Sequence, residues 1–174
     1  MDTGIENDLR SWSREVLEVP NEHLKGMPPC PYAKEAWKKD KVFVVETDDI
    51  VSSTCNNTPF FYDYKIELLI IASFVLPDIE EFNGFVDELN RKEKTLHCMG
   101  FHPGYDAEDA ELDFLSDNDW VSSFDEDYCM IFIQDLETVV RASDKLEKLG
   151  YYKAYPESEY QELVVERKRR LQWL

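Results

Sequence analysis

Residues 65–78 read Lys65-Ile66-Glu67-Leu68-Leu69-Ile70-Ile71-Ala72-Ser73-Phe74-Val75-Leu76-Pro77-Asp78. Between 66 and 74 the run is almost continuously apolar, the mark of a strand buried on both faces. Pro77 and Asp78 then end it and open a helix. Asp78 can serve as N-cap, Glu81 stands where a capping box needs it, and Ile79, Phe82, Val86 and Leu89 fall on one stripe.

Reading outward from that pair, residues 95–101 form a second strand and 128–134 a third, the latter again apolar on both faces. Asp135 caps another helix, with Leu136, Val139, Val140, Leu146 and Leu149 inward and Gly150 as its stop. Residues 151–155 read as a short last strand, and Ser158 and Gln161 open a terminal helix. The order across residues 65–155 is β-α-β-β-α-β, which predicts an α+β fold with a ferredoxin-like core whose first and third strands are central. Upstream, Ile5, Leu9, Trp12, Val16 and Val19 mark an N-terminal helix ended by Pro20. After a Pro-rich elbow at 27–31, a short helix carries Ala33 to Trp37, and Val42 to Glu46 reads as an extra strand extending the sheet. Residues 48–63 have no clear period and read mostly as loop.

The 174 residues, 43% hydrophobic and 13% aromatic, suit one core, so a single domain over 1–174 is expected. Nineteen Lys and Arg against 37 Asp and Glu leave a net charge of −18. That field repels nucleic-acid phosphates and anionic lipid heads and favours basic partners. No apolar run is long enough to span a bilayer. Met1 leads into Asp2, Glu6 and Asp8 rather than a signal peptide, so a cytoplasmic protein is expected. The four cysteines contain no C-x-x-C, which points to free thiols.

Two proline-bracketed residues carry the candidate chemistry. Cys30, between Pro29 and Pro31, stands at the start of the short helix, where the macrodipole lowers a thiol's pKa. His102 ends the second strand just before Pro103 and Gly104, where an imidazole could act as acid, base or ligand. The bland alternatives are a buried unreactive thiol and a histidine that pins its turn. His97, Cys98 and His102 cannot form one local metal site, because His97 faces away from the other two and those lie about 13 Å apart along the strand. The acidic stretch 103–127 begins like an EF-hand at Asp117 and Asp119 but has Ser122 where glycine is needed and Tyr128 in place of the closing Glu. Arg167, Lys168, Arg169 and Arg170 read as cations stabilising a helix C-terminus. No motif names a cofactor.

With these residues in view, the chain resembles the bacterial family called domain of unknown function 1415. The likeness rests on Pro29-Cys30-Pro31-Tyr32-Ala33 and Phe101-His102-Pro103-Gly104-Tyr105, and it departs after Tyr105, where the acidic stretch stands. The resemblance implies no reaction; it gives a reason to pair Cys30 with His102. The leading expectation is a small acidic protein with a small-molecule, redox or metal site at that pair. Beside it stand an interaction module that binds a basic protein, and a homo-oligomer built on the sheet.

Overall fold

The computed structural model describes residues 4–104 and 128–172. Most of the acidic stretch, residues 105–127, lies outside them, so the calcium and loop readings made there do too.

Helix α1 (Gly4–Trp12) continues through a π-helical turn at Ser13–Leu17, closed by the Glu18 N–H donating to the Ser13 carbonyl at 2.9 Å. Then come α2 (Ala33–Lys38), β1 (Val42–Glu46), α3 (Ile50–Asn57), β2 (Leu68–Ser73), α4 (Ile79–Lys92), β3 (Leu96–Phe101), β4 (Cys129–Asp135) and α5 (Leu136–Lys148). The C-terminal helix is built from α6 (Glu157–Tyr160), a π-helical segment (Gln161–Glu166) and α7 (Arg167–Gln172). The result is mixed α and β, with one four-stranded sheet in the order β1-β2-β4-β3. β1 runs parallel to β2; β2 with β4 and β4 with β3 are antiparallel.

β2 and β4 are the central strands, as their sequences require, with Leu69, Ile71, Ile131 and Ile133 wholly buried. Alternation sends Val44, Ile70, Ala72, Met130 and Phe132 to one face, where Ile5, Leu9, Trp12, Val16 and Leu17 cover them. Leu69, Ile71, Ile131, Ile133, Leu96 and Cys98 go to the other, beneath Ile50, Phe61, Phe82 and Leu89. Asp78 caps α4 by accepting from the N–H groups of Glu80 (2.9 Å) and Glu81 (3.2 Å), and Asp135 caps α5.

Two secondary-structure expectations fail, each for a physical reason, while Val19 and Leu149, expected on buried stripes, are exposed. Residues 151–155 are not a strand. Tyr151–Ala154 form a 3-10 turn after Gly150, whose φ of 81° turns the chain. Its tyrosines pack on one another and on Leu24 and Leu146 rather than on the sheet. The sheet position beside β2 that this segment would occupy in a βαββαβ core belongs to β1, running parallel. Residues 48–63, expected as loop, contain α3 and a 3-10 turn at Thr58–Phe60. Ile50, Thr54, Thr58 and Phe61 form its buried stripe. Both threonines satisfy their hydroxyls four residues back, Thr54 on the Ile50 carbonyl (2.6 Å) and Thr58 on the Thr54 carbonyl (2.7 Å). α3 supplies the crossover that a parallel β1–β2 pair needs.

The two edges of the sheet are finished differently. On β3, the outward N–H and carbonyl of Cys98 are both taken by the Asn90 amide (2.9 and 2.8 Å), and the Leu96 carbonyl by Arg170 (2.8 Å). On β1, the register directs Lys41, Phe43, Val45 and Thr47 toward β2, with the Thr47 N–H donating to Ala72 and the Leu68 N–H to Lys41. The main-chain groups of Val42, Val44 and Glu46 therefore face outward, and no described residue pairs with them.

Candidate functional site

Cys30 and His102 sit on opposite faces of the sheet. Cys30 packs against the core formed with α1, and its N–H donates to the Leu17 carbonyl at 3.0 Å. Its thiol pKa is raised, first by burial, which outweighs the pull of the Tyr32 and Ala33 N–H groups; Glu18 pushes it further up. A helix of six residues ahead of it does not overcome that burial. His102 continues the β3 alternation onto the face of α4 and lies against the Phe82 ring at 5.4 Å between centroids. The Gly104 N–H donates to its Nδ1 at 3.0 Å, so Nε2 carries the proton and donates to the Pro77 carbonyl at 3.0 Å. The ring thus ties the turn after β3 to the start of α4. With the sheet between them, the two residues form no dyad.

Among the described residues, no three His, Cys, Asp or Glu side chains gather as a metal would need. Cys98 is buried and its thiol is pushed up to about 12, chiefly by that burial.

The neighbours Cys30 does have lie on its own face. Tyr151 donates to the Pro29 carbonyl in the elbow, and Tyr155 bonds to Tyr151 at 3.5 Å. The rings of Tyr151, Tyr152 and Tyr155 pack within 5.8 Å of one another, centroid to centroid. Burial leads the causes that raise all three phenols, Tyr155 to about 12. Next to them the C-terminal helix crosses β3 and turns two arginines inward, where the sequence suggested only cations at a helix end.

Both terminal nitrogens of Arg170 are engaged. One guanidinium nitrogen donates to Asn90 Oδ1 (3.1 Å) and His97 Nδ1 (3.0 Å); the other donates to the Glu93 and Leu96 carbonyls (3.2 and 2.8 Å). Arg167, one turn earlier, reaches Met99 Sδ at 3.5 Å and makes no ion pair among the described residues. Burial lowers its pKa, with Tyr152 and Glu162 opposing. Its Nε is buried without a hydrogen-bond partner among the described residues, and so is His97 Nε2.

His97 carries a further deduction. A guanidinium can only donate, so His97 Nδ1 is the acceptor and the ring proton resides on Nε2. Burial, then the charges of Arg167 and Arg170, hold this histidine neutral down to about 2. Nε2–H and Arg167 Nε–H are therefore two buried donors with no acceptor among the described residues. They share a region, because His97 and Met99 are adjacent same-face residues on β3 while Arg170 and Arg167 are adjacent on one helix face. Sequence periodicity could not find this cluster, since nothing in Arg167–Arg170 reveals which face of the helix meets β3.

Compared with protein-family models, curated proteins and solved structures, the chain matches none of them.

Proposed function

We propose that this chain is a small-molecule-binding protein whose ligand presents an oxyanion, carboxylate or phosphate, to Arg167 and His97 beneath the C-terminal helix. One observation carries the reading: Arg167 Nε–H and His97 Nε2–H are buried donors left without acceptors among the described residues. A buried guanidinium costs several kcal/mol unless a counter-charge or a full set of hydrogen bonds offsets it. An oxyanion offers both, and two acceptor oxygens suit two donors. The π-helical segment immediately before Arg167 is the kind of irregularity that often marks a functional site. Cys30 enters through its elbow, which Tyr151 ties to the tyrosine cluster, and not as partner of His102.

The test is thermal unfolding in inorganic phosphate, acetate and chloride at matched ionic strength. Phosphate or acetate raises the wild-type melting temperature by roughly 3–6 °C at ten times its Kd. Arg167→Met loses the shift and His97→Phe weakens it. Identical curves in the three salts, or a shift that survives Arg167→Met, would sink the reading.

A second reading, docking of a basic protein, is favoured by the excess of 37 Asp and Glu over 19 Lys and Arg. Arg10, Arg91, Lys92, Arg141, Lys168 and Arg169 are paired with carboxylates, while Arg167 and Arg170 turn inward. A complex recovered by pull-down that dissolves with salt and ignores Cys30→Ser supports it; a complex indifferent to salt argues against it.

A further inference from the structure

Among the described residues, the sheet closes one edge with side chains and leaves the other open. Asn90 and Arg170 occupy the outward groups of Cys98 and Leu96 on β3. Among the described residues, nothing comparable meets Val42, Val44 and Glu46 on β1. Folded proteins usually guard such an edge with an inward charge, a proline or a bulge. The sequence Val42-Phe43-Val44-Val45-Glu46 has none of the three within its span, and its only charge, on Glu46, is exposed at the end. Beside the edge, on the α3 side, Phe43 is 42% exposed and lies against Tyr64 at 5.2 Å between ring centroids.

Charge distribution says what fits there. In a chain of net charge −18, Lys38, Lys39 and Lys41 outnumber Asp40 just before β1 in the sequence. Glu46, Asp48 and Asp49 follow at its end. A strand that is basic at one end and acidic at the other complements itself when antiparallel. Pairing two such strands about Val44 sets each basic end beside the other's acidic end. It also joins Val44 to Val44 and Val42 to Glu46, about six main-chain hydrogen bonds in an antiparallel ladder. The contact is isologous, as a two-fold dimer requires.

We propose that the β1 edge docks on the β1 edge of a second copy of this chain, joining two four-stranded sheets into one. The inference is independent of the anion site, which lies against β3 at the opposite edge. A strand-to-strand contact of this length is smaller than most permanent interfaces, so the dimer is a weak one that forms with concentration.

Sedimentation equilibrium at about 0.15 M salt, up to roughly 100 µM chain, reads it directly. The wild-type mass climbs from 20.5 kDa toward twice that value. Val44→Pro, which removes an outward donor and is checked for folding by circular dichroism, stays monomeric. Two charge variants keep the test decisive if that protein fails to fold. Lys39→Glu with Lys41→Glu makes both ends acidic, and Glu46→Lys with Asp48→Lys makes both ends basic. Each alone is monomeric, and an equimolar mixture of the two restores a dimer. A wild type that stays at 20.5 kDa throughout overturns the proposal, as does a dimer that persists in either charge variant alone.

Discussion

At His97 the coupling of protonation to folding follows from burial and from the two guanidinium groups, Arg167 and Arg170, that face the ring. The folded protein keeps the imidazole neutral to about 2, whereas the unfolded chain accepts a proton near the ordinary 6.5. Between those values the unfolded state binds more protons, so stability is complete above pH 6.5 and falls as pH drops. By pH 5 the loss from this one residue is about 2 kcal/mol. In urea unfolding at pH 7 and pH 5, wild type should lose that much more than His97→Phe, in which the carboxylates titrate alike. Equal losses would mean that the ring is not held neutral. The sequence made His102 and Cys30 conspicuous through their flanking prolines and left His97 and Arg167 plain. Proline brackets report local backbone, and the requirement at His97 arises only when a helix some 70 residues later lies across its strand.

Elements were legible where a single physical cause dominates. The apolar run of β2, the Asp78 cap of α4 and the Asp135 cap of α5 all stand where the pattern put them. α3 and the 3-10 turn after it were hidden because two of the four buried positions from Ile50 to Phe61 are threonines, which read as polar until their hydroxyls are seen to bond back into the helix. The 3-10 turn at Tyr151 was misread because aromatic residues favour strands, and a preceding glycine at positive φ outweighed that preference. On β3, Asn90 acts as a surrogate strand by meeting a donor and an acceptor of one residue. Asn90→Ala should cost about 2 kcal/mol in denaturant unfolding, since it strands both Cys98 groups and an Arg170 bond. It should also shorten the solution's lifetime before turbidity appears on warming. Unchanged stability would show that water satisfies those groups equally well.

At the scale of the whole molecule, hydrophobic patterning identified β2 and β4 as the strands that need neighbours on both sides. It could not say which segment would flank β2, because β1 and residues 151–155 are both short and mixed in character. The parallel partner prevailed, with α3 as its crossover. That strand order has a consequence in time. β2 and β3 do not touch; β4 joins them, and it begins 56 residues after β2 ends, at Cys129 against Ser73. On a ribosome that interval lasts ~3–11 s. Throughout it, the flank of β2 destined for β4 has no sheet partner and β3 has nothing to pair with. The newborn chain therefore depends on β1, α3 and α4 to shelter its most apolar segment, and a fragment ending before residue 128 should be captured by a holdase chaperone.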